Sequence, residues 1–253
     1  MFRLATRALV LLATLMLVAS ACSTDEPSAQ TSAAVTDEVD SGELSLDVSR
    51  PNVDAVDQSI VRIVGFGCGA PALGSGFAID TNLIVTSGHI VTGRDPDSLS
   101  VIRSDGSEFS AALVGFDQDL DLALLRVDDI DFVPVNLVTE VPVVDGVAVG
   151  IGSRSGEEFF NEIEFTVDAP VNVNWDGVFR DTESRFRGLR ITADVELGDS
   201  GTGLFVNDRD VIGLVHSRNR AGVPRAYAVG SVEIAEFADT IDETVEVVAD
   251  RCA

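Results

Sequence analysis

From about Val56 onward the chain is a succession of short apolar runs, rich in Val and Ile, separated by Gly, Asp and Asn. Val61-Arg62-Ile63-Val64 reads as a strand interior, and Phe77 to Thr86 reads as a hairpin with two apolar arms. Runs of this length and composition suit a pleated, half-buried surface and are too short for helices. They confine the chain to an all-β barrel or sandwich. About 200 residues are enough for two small barrels packed together. We place the first at about 53–139 and the second at about 140–253, dividing near Thr139 to Val141. One stretch, Val232 to Val248, has helical period: Ile234, Phe237, Ile241 and Val245 recur at spacings of three and four. No repeat or appended peptide-binding module is expected after it.

The first residues carry Arg3 and Arg7, an apolar run from Ala8 to Val18, and then Ala19-Ser20-Ala21-Cys22. This is a secretory signal over residues 1–21, too short to span a membrane. Ala19-Ser20-Ala21 suits ordinary signal peptidase. Followed directly by Cys22, the run also resembles a bacterial lipobox. We read Cys22 as a lipidation site that anchors an exported protein to the outer face of the cell membrane, the alternative being a simply secreted one. Residues 22–52, rich in Ser, Thr, Ala, Asp and Glu, have little to bury and read as a polar tether. With Cys22 set aside, Cys68 and Cys252 remain as an even pair. Export permits a disulfide between them; two free buried thiols are the other reading. No Cys/His group has metal-ligand spacing, and no cofactor is expected.

All 17 basic residues are arginine, against 42 acidic residues, giving a net charge of −25. Such a surface opposes nucleic acid, which is bound by displacing counterions with positive charge. It also disfavours approach of the domain to anionic lipid and favours neutral or basic polypeptides as partners.

Three runs carry chemistry: Val85-Thr86-Ser87-Gly88-His89-Ile90, Asp121-Leu122-Ala123-Leu124-Leu125 and Leu197-Gly198-Asp199-Ser200-Gly201. They supply His, Asp and Ser in that chain order. A serine hydroxyl needs a base, and the base needs an orienting carboxylate. His89 is one of only two histidines, and imidazole is the base whose pKa lies near neutrality. Asp121 stands out from Asp117 and Asp119 because it enters an apolar run, where a carboxylate is desolvated and can hold an imidazole N–H. Asp119 is the fallback, and Asp117 reads as surface. Gly198 and Gly201 permit the tight turn that would aim the Gly198 and Ser200 amides at one point, an oxyanion hole. Alone, Gly-Asp-Ser-Gly is ordinary turn chemistry; the three ordered runs together are specific.

The order His, Asp, Ser is that of chymotrypsin-like proteases. With Gly74-Ser75-Gly76-Phe77, Asp121 to Val127, and Gly198 to Phe205 followed by Val211-Ile212-Gly213, the chain resembles bacterial extracytoplasmic trypsin-like serine proteases. It is similar to the HtrA-type protease domain and to the periplasmic acid-resistance proteases of actinobacteria, over about residues 58 to 240. The resemblance implies two six-stranded antiparallel β-barrels with a cleft between them and a short C-terminal helix. It further implies a His89–Asp121–Ser200 triad, and a link between a Cys shortly before Gly-Ser-Gly-Phe and one near the C-terminus.

The chain departs from the family at Gly88, usually Ala, and at Thr202-Gly203, usually Gly-Pro. Asp199 has no assigned partner. Ile60-Val61 as a zymogen-type terminus is disfavoured, and no activating cleavage is expected. For specificity, Asp194 lies six residues before Ser200, where trypsin places its pocket carboxylate. Thr192-Ala193-Asp194 also reads as the Thr-Asp pair of HtrA-type chains, shifted. His216 has three readings: an acidic-residue binder as in glutamyl endopeptidases, a neighbour that fixes Asp121, or a satisfied structural histidine. Leu214, Val215 and Ser217 are expected on the strand that pairs with substrate backbone. Two functions follow: a serine endopeptidase acting on polypeptides through an acyl-enzyme, or a degenerate, surface-tethered peptide binder. A monomer is the expected state.

Overall fold

Cys68 and Gly69 both take positive φ, 49° and 78°, and fold the chain back between two strands. These are β1 (Ile60–Gly67) and β2 (Ala70–Ala78), antiparallel from Ile60 opposite Phe77 to Gly67 opposite Ala70. The structure is a computed structural model describing residues 49–128, 130–139, 148–152, 161–176, 184–218, 224–249 and 252. The expected signal, Cys22, most of the tether, and residues 140 and 141 of the expected barrel boundary lie outside the described residues.

The first half continues with β3 (Leu83–Ser87), β4 (Ser100–Ile102), β5 (Glu108–Ser110), β6 (Ala112–Asp117) and β7 (Leu122–Arg126), in the order β5-β4-β1-β2-β3-β7-β6. Only buried Ala111 separates β5 from β6, and its N–H donates to Leu99 O at 3.0 Å. The two ends of this seven-segment sheet are therefore one bent strand, and the sheet closes as a six-stranded barrel. The second half contains β8 (Asn136–Leu137), β9 (Ala148–Gly152), β10 (Asn161–Trp175), β11 (Ser184–Ala193), β12 (Gly203–Phe205), β13 (Asp210–Arg218) and β14 (Arg225–Gly230). Because β12 pairs with both β9 and β13, six of these strands form a closed ring. The two-residue β8 is an added parallel partner of β13.

Each barrel has its own core. Ile63, Ile84, Val101, Ala123 and Leu125 fill the first; Phe165, Ile191, Leu204, Ile212 and Ala228 fill the second. A third cluster joins Phe77, Val85, Leu122 and Leu124 of the first half to Phe205, Leu214, Val229 and Phe237 of the second. Strands at this junction are buried on both faces. That is why Leu122-Ala123-Leu124-Leu125 is continuously apolar: Leu122 and Leu124 face the junction, Ala123 and Leu125 the barrel interior.

The expected helix is shorter than its apolar period. It runs Ser231–Asp239, burying Ile234 and Phe237, and ends where the Thr240 hydroxyl donates to Phe237 O at 2.7 Å. Asp239, Asp242 and Glu243 then crowd what would be a helix C-terminus, where carboxylates are unfavourable, among β-branched Thr240, Ile241, Thr244 and Val245. Residues 240–249 form a strap back to the first barrel. Val247 N–H donates to Leu113 O at 2.8 Å, and Arg126 Nη1 donates to Glu243 O at 2.6 Å. The strap ends in a Cys68–Cys252 disulfide with Cα atoms 5.9 Å apart, the bonded member of the two sequence readings.

Residues 49–52, counted with the tether above, are attached to the second barrel. Ser49 N–H donates to Val206 O at 2.8 Å, Arg50 pairs with Glu162 and Glu164, and Asn52 N–H donates to Asp208 Oδ1 at 2.7 Å.

Candidate active site

Strand β3 ends at Ser87, and a single helical turn, α1 (Gly88–Val91), follows. Ser87 does not cap this turn with its side chain. Asp121, from the start of β7, does so instead: its Oδ1 accepts the His89 N–H at 2.7 Å and its carbonyl accepts the Gly88 N–H at 2.8 Å. Its other carboxylate oxygen, Oδ2, accepts from His89 Nδ1 at 2.6 Å. The carboxylate is fully buried, and Asp121 takes φ +55°, a left-handed conformation that Asp tolerates better than most residues. Backbone and imidazole of His89 are thus both fixed by one side chain. With Nδ1–H donated to Asp121, the Nε2 lone pair is left for an incoming proton, and the imidazole side chain keeps 37% of its surface exposed.

Asp117 and Asp119 are not rivals for this place. Asp117 Oδ1 accepts the Asp119 and Leu120 N–H groups at 2.8 and 2.9 Å and closes the turn that presents Asp121. Space for a side chain at Gly88 is tight. A Cβ there would lie 3.1 Å from both Asp121 Oδ1 and the Phe116 ring.

The 198–201 turn is pinned on two sides. Ser75 N–H donates to Ser200 O at 2.8 Å and Ser75 Oγ to Gly198 O at 3.0 Å. The Val215 carbonyl accepts both the Gly201 N–H at 2.9 Å and the Ser87 hydroxyl at 3.3 Å. One oxygen of β13 therefore joins the residue after Ser200 to the residue two before His89, across the junction of the barrels. Gly198 and Gly201 have φ +99° and +86°, and a Cβ on Gly201 would fall 1.9 Å from Ser75 O, so no other residue fits that position. Among the described residues, neither the Gly198 nor the Ser200 amide donates to a backbone carbonyl. Buried Asp199 accepts the Glu196 N–H at 2.7 Å and so stabilises the turn from within. Ile60, the disfavoured terminus mimic, is the buried first residue of β1.

Thr202 is fully buried, and its carbonyl accepts the Val215 N–H at 2.9 Å. Gly203 sits where a Cβ would lie 2.9 Å from both Phe77 and Phe205, whose rings meet edge to face. The aromatic pair closes the space that a side chain at residue 203 would need.

The substrate-binding candidates separate. Leu214 and Val215 are buried within the sheet, and only Ser217 and Arg218 emerge toward solvent at its end. Asp194 is exposed, one residue beyond β11; Thr192 Oγ1 donates to Asp168 at 3.0 Å. His216 lies against Asp121, with Nε2 3.3 Å from Oδ2 and only 3% of its surface exposed. Trp175 and Phe186 wall its ring edge to face, at 4.7 and 5.2 Å. A β-bulge places it there: β13 pairs Val215 with Ala228 and then Ser217 with Tyr227, so His216 is the extra residue. Strict alternation along the strand misses that reorientation. It also misses Trp175, the chain's single tryptophan, whose Nε1 donates to Asp119 O at 3.3 Å.

The two histidines are displaced in opposite directions. Burial works to lower the His89 pKa, but the Asp121 charge and hydrogen bond outweigh it, Arg94 opposing, and His89 rises above its ordinary 6.5. His216 is lowered to about 4, chiefly by burial and also by the nearby His89 charge, against the pull of Asp121. Below pH 6.5 the unfolded chain therefore takes up a proton at residue 216 that the folded chain refuses. This contribution to stability is complete above pH 6.5 and is lost as pH falls toward 4, amounting to about 3 kcal/mol. Denaturant titrations at pH 7.5 and 4.5 should show His216→Phe losing less stability than wild type over that interval. An equal loss would contradict the assignment.

The trypsin-like peptidase domain family matches residues 74–214, which include His89, Asp121 and Ser200 and end two residues before His216. Serine protease Rv3671c of Mycobacterium tuberculosis is 26% identical over 208 residues, covering 81% of this chain and 51% of that protein. A probable periplasmic DegP-like serine endoprotease of Hahella chejuensis is 32% identical over 166 residues, 63% of this chain and 33% of that protein. The chain thus spans about half of the length of the first relative and a third of the second. The active form of the Rv3671c protease superposes with a TM-score of 0.73 at 22% identity, over 91% of this chain and 99% of that one. The HtrA-type protease AlgW with a tripeptide gives 0.63 at 21% identity, over 74% and 61%. The fold is chymotrypsin-like, and the chain belongs to the trypsin-like peptidase domain family, homologous to Rv3671c and to the HtrA/DegP serine proteases.

Proposed function

We propose that this protein is an extracytoplasmic serine endopeptidase with Ser200 as nucleophile, His89 as general base and Asp121 as the group that orients it. The observation that carries the reading is the buried Asp121 carboxylate, which holds the His89 backbone through one oxygen and its imidazole through the other at 2.6 Å. In the first step Ser200 Oγ attacks the scissile carbonyl carbon while His89 Nε2 takes the hydroxyl proton. The oxyanion forms near the Gly198 and Ser200 amides. His89 returns the proton to the leaving amine as the C–N bond breaks, leaving an acyl-enzyme. Water, deprotonated by the same imidazole, then releases the acid. Substrate backbone adds at the end of β13, on the Ser217 side, because Leu214 and Val215 are already enclosed.

His89 must be neutral to accept the proton, and its pKa is raised. The acid limb of kcat/KM is therefore expected above pH 6.5, with activity falling as pH drops through it. Profiling hydrolysis of an unbiased peptide library from about pH 5 to 9 tests this. Steady activity down through 6.5 would remove His89 from the role.

Export and anchoring belong to the same reading. The apolar leader followed by Ala19-Ser20-Ala21-Cys22 supports it, as does a disulfide suited to an oxidising compartment. On this reading the domain is a monomer held at the membrane by lipid on Cys22. Cys22→Ala should move it from the detergent-extracted to the aqueous fraction.

A further inference from the structure

His216 has no part in the proton transfers above, yet it touches the carboxylate on which they depend. Its two nitrogens have unlike surroundings. Nδ1 lies 2.8 Å from Ser217 Oγ. Nε2 is buried, 3.3 Å from Asp121 Oδ2, and has no hydrogen bond of good geometry among the described residues. A bare lone pair on Nε2 would face the carboxylate charge in a dry site, an arrangement of like-signed density. The tautomer with hydrogen on Nε2 faces it with the positive end of an N–H bond, while Nδ1 accepts the Ser217 hydroxyl proton. Trp175 and Phe186 hold the ring in place and keep water from the carboxylate. Among the described residues, the charged and titratable groups that act on it are Asp121 and His89, with Arg94 beyond His89.

We infer that His216 is a positioning residue, a neutral imidazole whose Nε2–H turns its positive end toward Asp121 at 3.3 Å and which, through Asp121, sets the orientation and basicity of His89. This rests on the triad reading above but is read out separately from it. Asp121 would then be hydrogen-bonded by the His89 backbone and ring and electrostatically favoured by the His216 ring. Taking away the last of these leaves more of the carboxylate charge to His89, which binds its proton more tightly and becomes less well fixed.

The chain has two histidines, so their ring 15N resonances in the isotope-labelled protein are assigned by one substitution each. In the wild type, residue 216 is expected as the neutral Nε2–H tautomer throughout neutral pH. In His216→Phe, a ring of similar size suited to the aromatic walls, the His89 titration midpoint should rise by about half a pH unit or more. There kcat should fall about tenfold with KM within about twofold. His216→Gln, which returns an N–H near the Nε2 position, should recover most of both. An Nδ1–H tautomer at residue 216, or an unmoved His89 midpoint in folded His216→Phe, would overturn the inference. If His216→Phe fails to fold, the wild-type tautomer and the Gln variant decide it. The NMR readout does not depend on turnover, so loss of the protease reading and loss of this inference are distinguishable.

Discussion

Replacing Ser200 by alanine is expected to lower peptide hydrolysis by at least about 10⁴-fold while leaving the fold unchanged. The separation of the two effects follows from how the residue is held. Its carbonyl accepts the Ser75 N–H, and its neighbour Gly201 donates to Val215 O. Both bonds use main-chain atoms, and the substitution removes neither. The melting temperature of Ser200→Ala should therefore match that of wild type, and residual hydrolysis above about 1% would assign the nucleophile elsewhere. Asp121→Asn is a useful companion. Asn tolerates the φ of +55° at this position but cannot hold the His89 N–H groups as a carboxylate does, so a fall of about 10⁴-fold is expected there as well.

The largest effect on stability is expected from the disulfide. Cys68 and Cys252 are 184 residues apart, and the bond closes a loop that contains almost the whole domain. Chain entropy gives about 5 kcal/mol for a loop of this length. The strap packs Ile241, Val247 and Ala249 against the cores. It leaves the helix at Thr240 and hydrogen-bonds to Arg126, Leu113 and Gly93 of the first half, the Gly93 N–H meeting Ala249 O at 2.5 Å. Cys68→Ser combined with Cys252→Ser should lower the melting temperature by roughly 15 °C and loosen residues 240–249 in hydrogen exchange. A loss below about 1 kcal/mol would mean that the strap docks without its staple.

The fold was legible because short β-branched runs leave few alternatives, and because strands at the barrel junction show continuous apolarity. Leu122 to Leu125 announced both a buried strand and the dry entry at Asp121. The 198–201 turn was legible from glycines whose positive φ the structure requires. What local sequence could not carry was set by tertiary context. The apolar period through Ile241 and Val245 overstates the helix because these residues lie on the strap after the helix has ended. Residues 49–52 look like more of the tether but find partners on the second barrel, Asp208 and Glu162 among them. His216 appears one position out of phase until the bulge after Val215 turns it toward Asp121. The aromatic walls around it, Trp175 and Phe186, come from strands far away in sequence.

The most direct measurement is reaction of the folded, disulfide-intact protein with a fluorophosphonate probe, followed by mapping of the labelled peptide. Such a probe bonds only to a serine whose hydroxyl is activated and whose oxyanion is stabilised. Covalent labelling confined to Ser200, and absent from His89→Ala, is the predicted result. An unlabelled protein, or label on Ser200 that persists without His89, would contradict the triad and shift the reading to a cleft that holds peptides without cutting them.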